Sequence, residues 1–330
     1  MKKFIFFCAT SFVILPSLFS QEEEIRGKPV VELFTDLHYE LGHDSTKSTG
    51  FGLNRAYFGY IFTFEKRFIT SLIVDIGSPL DLGTVSKPRR YAHFREASVG
   101  YAGDRLNVMM GITSTKIFSY QQKFWGKRYI ANTYQSINGY GFVADLGIVA
   151  DYKISDWLQA DLTLMNGKGY SSIQLDKSLK GSLGFTITPT GKISIRIYSD
   201  MMKYAGLWQN TLVGFIGFRN DLFYIGGEAS FKSNLDLKDG HHAWGISSTG
   251  GINIADKTEL FARYDFSSSV VPEGEPIEWN YQRDGSFIVG GIQYTVNKYI
   301  KTALDYQSFF PYDDGQQVTD YIYLNVLVKF

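Results

Sequence analysis

One stretch of the chain concentrates charge in a way that could do chemistry. Residues 114–139 read STKIFSYQQKFWGKRYIANTYQSING and hold Lys116, Lys123, Lys127 and Arg128 with no acidic residue among them. The chain as a whole is balanced, with 33 basic and 33 acidic residues, so this run of uncompensated cations stands apart. The chemistry open to such a set is electrostatic rather than covalent. Fixed positive charges beside a confined path of water favour anions. The same charges on an ordinary loop would simply face solvent. Phe118, Tyr120, Phe124, Trp125 and Tyr129 lie between them. These rings would either offer a track to sugars or anchor the segment to a wall.

Other reactive arrangements are missing. Cys8 is the only cysteine and falls in a leader-like segment, which leaves no thiol for a disulfide, a nucleophile or a metal. His241 and His242 adjoin, but His38, His43 and His93 are not placed to complete a metal site. GYGFVADLG at 139 opens a strand pattern rather than a helix, so a nucleotide loop is not expected. No nucleophile motif is recognisable. The expectation is a protein that is not an enzyme, with no catalytic residue, no cofactor and no metal. The absence of bulk basic character argues against nucleic acid.

The elements that would position the cationic stretch begin after a secretory signal. Lys2 and Lys3 precede an apolar run from Phe4 to Leu18, with a cut expected after Ser20. This assigns 1–20 to a signal peptide and 21–29, which contains EEE, to a periplasmic tail. Without the signal the charges stand at 31 basic and 33 acidic, about −2. No later run of apolar residues is long enough for a membrane helix.

From residue 30 onward the dominant pattern has period two. Val31, Leu33, Leu37, Tyr39 and Leu41 share one parity, with Glu32, Asp36, His38 and Glu40 on the other. Leu158, Ala160, Leu162 and Leu164 oppose Gln159, Asp161 and Thr163. Leu260, Ala262, Tyr264 and Phe266 oppose Glu259, Arg263 and Asp265. Such alternation marks strands with one wet and one apolar face. In 91–101 neither parity is free of charge, because His93 and Arg95 oppose Glu96, and a bulge is expected there.

Connections alternate in length. Short ones fall near 64, 102, 154, 188, 219, 255 and 296. Longer ones fall at about 42–50, 78–89, 114–139, 167–178, 200–209, 232–242, 267–284 and 309–318, with PEGEP at 272–276 a loop signal. Fifteen connections give sixteen strands. Short turns at one rim and long loops at the other fit an outer-membrane barrel and have no reason to arise in a soluble sandwich. The chain ends as DYIYLNVLVKF, in mid-strand on Phe330, which a closed barrel explains, since the last strand must pair with the first. The fold class is therefore all-β, a transmembrane antiparallel up-and-down β-barrel of about 16 strands over residues 30–330, in the cell outer membrane and in contact with its lipid.

On these residues the chain resembles bacterial outer-membrane porins of sixteen strands. NRAYFGYIFTFEKRF followed by HFREASVGYAGDRLNVMMGITSTKIF is similar, over roughly 53–170, to the phosphate-selective porin O and P family. The resemblance implies passive diffusion of small polar or anionic solutes, usually through a homotrimer, with the third loop folded into the lumen. It implies that the terminal aromatic, Phe330, is read by the outer-membrane assembly machinery. The end of the signal also looks like exported proteins of the Bacteroidota. Lys116, Lys123, Trp125, Lys127 and Arg128 then become the constriction loop. Arg55, Asp145, Asp161, Arg196, Glu259, Arg263 and Lys301 become lumen-lining. The mixed signs of that wall depart from the arginine-lined pore of the family and argue against true phosphate selectivity. The other reading is a plugged structural or secretion-associated barrel that binds a partner through its external loops.

Overall fold

The computed structural model describes residues 26–42, 48–76, 92–274, 283–313 and 315–330. The expected signal peptide with Cys8, residues 21–25 of the tail, His43 and the connection at 78–89 lie outside them.

The described residues form sixteen strands. They are β1 (Arg26–Glu40), β2 (Thr49–Phe64), β3 (Phe68–Ile76), β4 (Ala92–Ala102), β5 (Leu106–Ser114) and β6 (Ala144–Lys153). There follow β7 (Leu158–Met165), β8 (Lys180–Ile187), β9 (Ile193–Tyr204), β10 (Leu207–Arg219) and β11 (Phe223–Ser233). The last are β12 (His242–Ala255), β13 (Thr258–Val270), β14 (Gly285–Thr295), β15 (Ile300–Pro311) and β16 (Thr319–Lys329). Each pairs antiparallel with its sequence neighbours, and β1 pairs with β16 to close the barrel. The Phe330 amide donates to the Val31 carbonyl at 2.9 Å, so the final residue is inside the hydrogen-bonded seam. Its ring lies 5.1 Å from that of Tyr299 at the short-turn rim.

The two faces are inverted relative to a soluble protein. Along β7, Leu162 is 59% exposed on the outside while Asp161 is 6% exposed on the inside. Leu72, Met110, Leu212, Ile216, Ile225 and Leu304 likewise face outward. Asp36, Asp75, Arg196, Asp200, Arg263 and Asp305 are enclosed within. Apolar residues outside and polar residues inside suit hydrocarbon around the barrel and water in its bore.

The expected bulge is present. Ile73 pairs with Glu96 and Val74 with Phe94, which leaves Arg95 as the extra residue of β4. The bulge lets Phe94 point outward while His93 and Glu96 take the inner side, resolving the clash of parities seen in the sequence.

Two boundaries differ from expectation. β1 starts at Arg26 rather than 30. Residues 26–30 pair with β2 alone, because the seam with the C-terminal segment begins at Val31, and this edge position tolerates Pro29, which has no amide to donate. The segment 200–209, expected as a long loop, is mostly strand. β9 and β10 continue to a two-residue turn at Ala205 and Gly206, with φ of 49° and 90°. Paired positive φ values give the turn whose twist matches a hairpin. The seven short turns fall where the sequence placed them.

The face assignment makes a direct prediction. Leu162→Lys, on the lipid side, lowers the unfolding free energy in detergent or bilayer by roughly 2–4 kcal/mol, whereas Gln159→Lys, on the lumen side of the same strand, costs less than about 0.5 kcal/mol. Equal losses measured by denaturant titration would refute the assignment.

Candidate functional site: loop three and the lumen wall

The connection from β5 to β6 folds into the bore. It carries α1 (Ser119–Trp125) and α2 (Tyr134–Ile137). Good helix formers at Gln121, Gln122 and Lys123 support α1, and Gly126, at φ 68°, ends it by returning its amide to the Gln122 carbonyl at 3.0 Å.

Wall residues fasten the loop at successive points. At its start, Arg196 of β9 donates to the Lys116 carbonyl at 2.7 Å. The same guanidinium holds both oxygens of Asp161 on β7, at 2.7 and 3.1 Å, and the Thr186 hydroxyl on β8 at 2.9 Å. Lys116 itself pairs with Asp151 of β6 at 2.6 Å. Next, Phe124 packs edge-on against Phe215 (5.0 Å) and Tyr224 (5.7 Å) on β10 and β11. Trp125 meets Phe261 of β13 at 5.9 Å and donates its indole N–H to the Ala131 carbonyl at 3.2 Å. Around it, Phe34, Tyr129, Ile130, Ala131, Phe261, Val289 and Ala303 form one enclosed cluster that joins the loop to β1, β13, β14 and β15.

Polar groups complete the seat. Lys127 forms an ion pair with Glu259 of β13 and donates to the Tyr224 hydroxyl at 2.9 Å. Tyr129 donates to Gln293 of β14 at 2.9 Å, and Gln307 of β15 donates to the Ile130 carbonyl at 3.1 Å. Arg263, itself paired with Asp265, donates to the Asn132 carbonyl at 2.5 Å. Lys232 of β11 donates to the Tyr140 carbonyl at 3.1 Å.

The candidate residues thus sort by what they touch. Arg196, Glu259 and Arg263, expected to line the lumen, also fasten loop three, and Asp161 holds Arg196 in place for it. Lys116 and Lys127 are matched by wall carboxylates, and Trp125 is an anchor. Lys301 is half-buried and lies within electrostatic range of Lys127. Asp145 is held by the amides of Leu146 (2.8 Å) and Gly167 (2.6 Å) and stands apart from the loop's ion pairs. Lys123 is exposed and makes no ion pair among the described residues.

Arg128 is the exception in the loop. Its guanidinium lies over the Tyr57 ring of β2 at 5.6 Å, with Arg55 and Arg95 as its charged neighbours. Arg55 pairs with Asp75 and donates to the Tyr170 hydroxyl at 3.2 Å. Arg95 donates to the Ser114 hydroxyl at 3.0 Å. Neither Arg95 nor Arg128 has a carboxylate partner among the described residues, and one terminal nitrogen of each is enclosed without a hydrogen bond. Sequence reasoning named Arg55 and Arg128 but missed Arg95, although the bulge it expected is what turns that stretch inward.

On the long-loop side of loop three lies a cavity of about 660 Å³. Arg55, Lys168, Lys180, Lys232 and Arg283 line it, with Asp236 as the acidic residue. The charged residues lining the space above loop three are therefore mainly positive, while Arg55, Arg95 and Arg128 gather at the β2–β4 wall beside Asp75 and Glu96.

No family model matches the chain, and no curated protein matches it. Solved structures do. The outer-membrane channel DcaP of Acinetobacter baumannii aligns at 13% identity over 93% of this chain and 97% of its own, with a TM-score of 0.65. OmpF of Salmonella typhi, in complex with daunomycin, aligns at 10% identity over 92% and 97%, with a TM-score of 0.70. An anion-selective porin from Comamonas acidovorans aligns at 10% identity over 93% and 100%, with a TM-score of 0.64. The fold is the outer-membrane porin fold. A closed sixteen-stranded barrel with an apolar exterior fits the outer membrane.

Arg196 gives the sharpest test of how this porin fold holds its inner loop. Arg196→Met leaves Asp161 enclosed without its partner and lowers stability by about 3–5 kcal/mol, whereas the double variant Arg196→Met with Asp161→Leu recovers most of that loss. Denaturant unfolding in detergent measures both. Additive losses would show that the pair is not a unit.

Proposed function

We propose that the protein is an outer-membrane porin for passive diffusion of small polar solutes, with a modest preference for anions. The observation that carries this reading is the gathering of Arg55 of β2, Arg95 of β4 and Arg128 of loop three at one wall of the bore, where Arg55 also lines a cavity whose charged residues are mainly cations. Fixed positive charge in a narrow water path lowers the energy of an anion there and raises that of a cation. The preference is modest because Asp75 neutralises Arg55 and because Glu96 faces the lumen from the same strand as Arg95. True phosphate selectivity is not part of the proposal. A homotrimer, recognition of Phe330 by the assembly machinery and the finer kinship with the porin O and P family belong to it as implications of the resemblance.

A second reading draws on the breadth of loop three's attachment, which reaches from β9 round to β1. A barrel closed by its own loop would leave the external loops as the working surface, for a partner.

Conductance of the purified protein in a planar bilayer separates the two. The expected result is a steady ohmic channel whose reversal potential in a potassium chloride gradient has the sign of anion preference, weakening as salt rises because screening shortens the reach of each charge. Arg95→Gln with Arg128→Gln moves the potential toward cation preference while conduction persists. A silent bilayer favours the plugged barrel. A cation-selective wild type, or an unchanged potential in the double variant, removes the arginines as the filter.

The terminus gives a separate expectation. Phe330→Asp, a charge at a lipid-facing rim, costs only about 0–1 kcal/mol in the folded barrel. A large fall in assembled protein, measured by surface labelling, would therefore come from failed recognition, and normal surface levels would count against that role.

A further inference from the structure

The connection from β7 to β8 does not behave as a polar surface loop. Residues 173–179 read IQLDKSL. Ile173, Leu175, Lys177 and Leu179 are exposed, the first two by 85% and 94%, while Gln174, Asp176 and Ser178 turn the other way. The inner set is knotted together. Asp176 accepts from the Ser178 hydroxyl at 2.5 Å, the Ser178 amide at 2.9 Å and the Lys168 ammonium at 2.9 Å. These bonds hold its carboxyl well below the usual carboxylate range. Gln174 donates to the Ser178 carbonyl. The knot fixes the strip, so its aliphatic face is presented rather than free to fold away. That face has the same parity as Leu183 and Phe185 on the lipid side of β8.

Opposite the strip stands the β9–β10 turn. Leu175, Asp176 and Lys177 on one side, and Lys203, Tyr204, Ala205 and Gly206 on the other, line an open hollow of about 540 Å³. Lys177 has no ion pair or hydrogen bond among the described residues. Lys203 lies 5.0 Å from the centre of the Trp208 ring and has no carboxylate partner among them either. The acidic residue in the lining, Asp176, is already engaged by Lys168 and Ser178. Trp208, cross-strand from Lys203, is half-exposed on the outer wall. Aromatic rings with a polar edge settle at the headgroup level of a bilayer, and lysines beside them reach the phosphate layer with their charge. Two uncompensated ammonium groups, a shaped hollow and an aliphatic ridge therefore meet where the wall leaves hydrocarbon.

We propose that this hollow binds the phosphorylated headgroup of a lipid in the outer leaflet. Lys177 and Lys203 take the phosphate, and Ile173, Leu175 and Leu179 lie against the upper ends of the lipid chains. A free phosphate would use the cations but gain nothing from the ridge. The site lies outside the bore and does not depend on whether the barrel conducts.

The test is native mass spectrometry of the detergent-solubilised barrel titrated with diphosphoryl lipid A. The wild type is expected to retain the lipid. Retention should weaken about thirtyfold in the Lys177→Gln, Lys203→Gln double variant, at roughly 1 kcal/mol for each lysine. Lipid A stripped of its phosphates should bind the wild type as weakly. Leu175→Ser with Ile173→Ser should also weaken binding, whereas Lys298→Gln, at the opposite rim, should not. Heat-shifted gel mobility confirms that each variant is folded. Equal retention by the double lysine variant overturns the proposal. So does displacement by inorganic phosphate alone at a concentration matched to the lipid, which would make the hollow a free-anion site.

Discussion

Hydrocarbon offers the backbone no hydrogen-bond partner, and each amide or carbonyl left open in it costs several kcal/mol. Everything else in this protein follows from that constraint. Strands can cross only if every edge is paired, so β1 must find β16, and the two run in register from Glu32 opposite Lys329 to Glu40 opposite Tyr321. Once the sheet closes, one side chain in two points to lipid and the next into the bore. The interior then receives the polar half of every strand. Ionic groups gathered there come close together, and the wall answers with matched pairs: Arg55 with Asp75, Arg196 with Asp161, Arg263 with Asp265.

A barrel this wide cannot fill its bore with the side chains of its own wall. Loop three supplies the missing interior. Its aromatic residues bury against the inner faces of β10, β11 and β13, and its carbonyls accept from wall arginines, glutamine and lysine. Arg196 matters most in this scheme because one planar guanidinium on β9 serves three groups on three other elements. A lysine has no fork with which to span both oxygens of Asp161 and still reach the Lys116 carbonyl. Docking the loop and pairing β7 with β9 across β8 are thus a single event.

The sequence revealed whatever depends on local alternation. Strand parity, the seven short turns, closure through the terminus and the bulge of β4 are each properties of a few consecutive residues. The errors have equally local causes. Met202 is apolar yet points inward, packing near Gly167, so the alternation through 200–204 was hidden and the stretch read as a loop. Pro29 and its charged neighbours looked like a tail, because an edge strand with one partner carries few of the marks of a buried one. The site was less legible for a different reason. Lys127 meets Glu259 across 132 positions, and Arg55 meets Tyr170 across 115. Nothing in the spacing of either pair announces it.

That distinction bears on what a permeating ion would feel. A count of four positive charges suggests that loop three is itself the filter. In the folded barrel two of those charges face carboxylates at contact distance, and from a few ångströms away each such pair acts as a dipole rather than a net charge. Dipole fields fall off faster than those of single charges, and at physiological salt even a single charge is screened over roughly 8 Å. What remains effective is the set without acidic partners among the described residues: the exposed Lys123, Arg128 and Arg95, joined by a partly neutralised Arg55. Two of these belong to loop three and two to the wall. The electrostatic character of the bore is thus set less by the charge of the inserted loop than by which wall residues its docking leaves unmatched, and the bulge that turns Arg95 inward does as much to shape it as the loop itself.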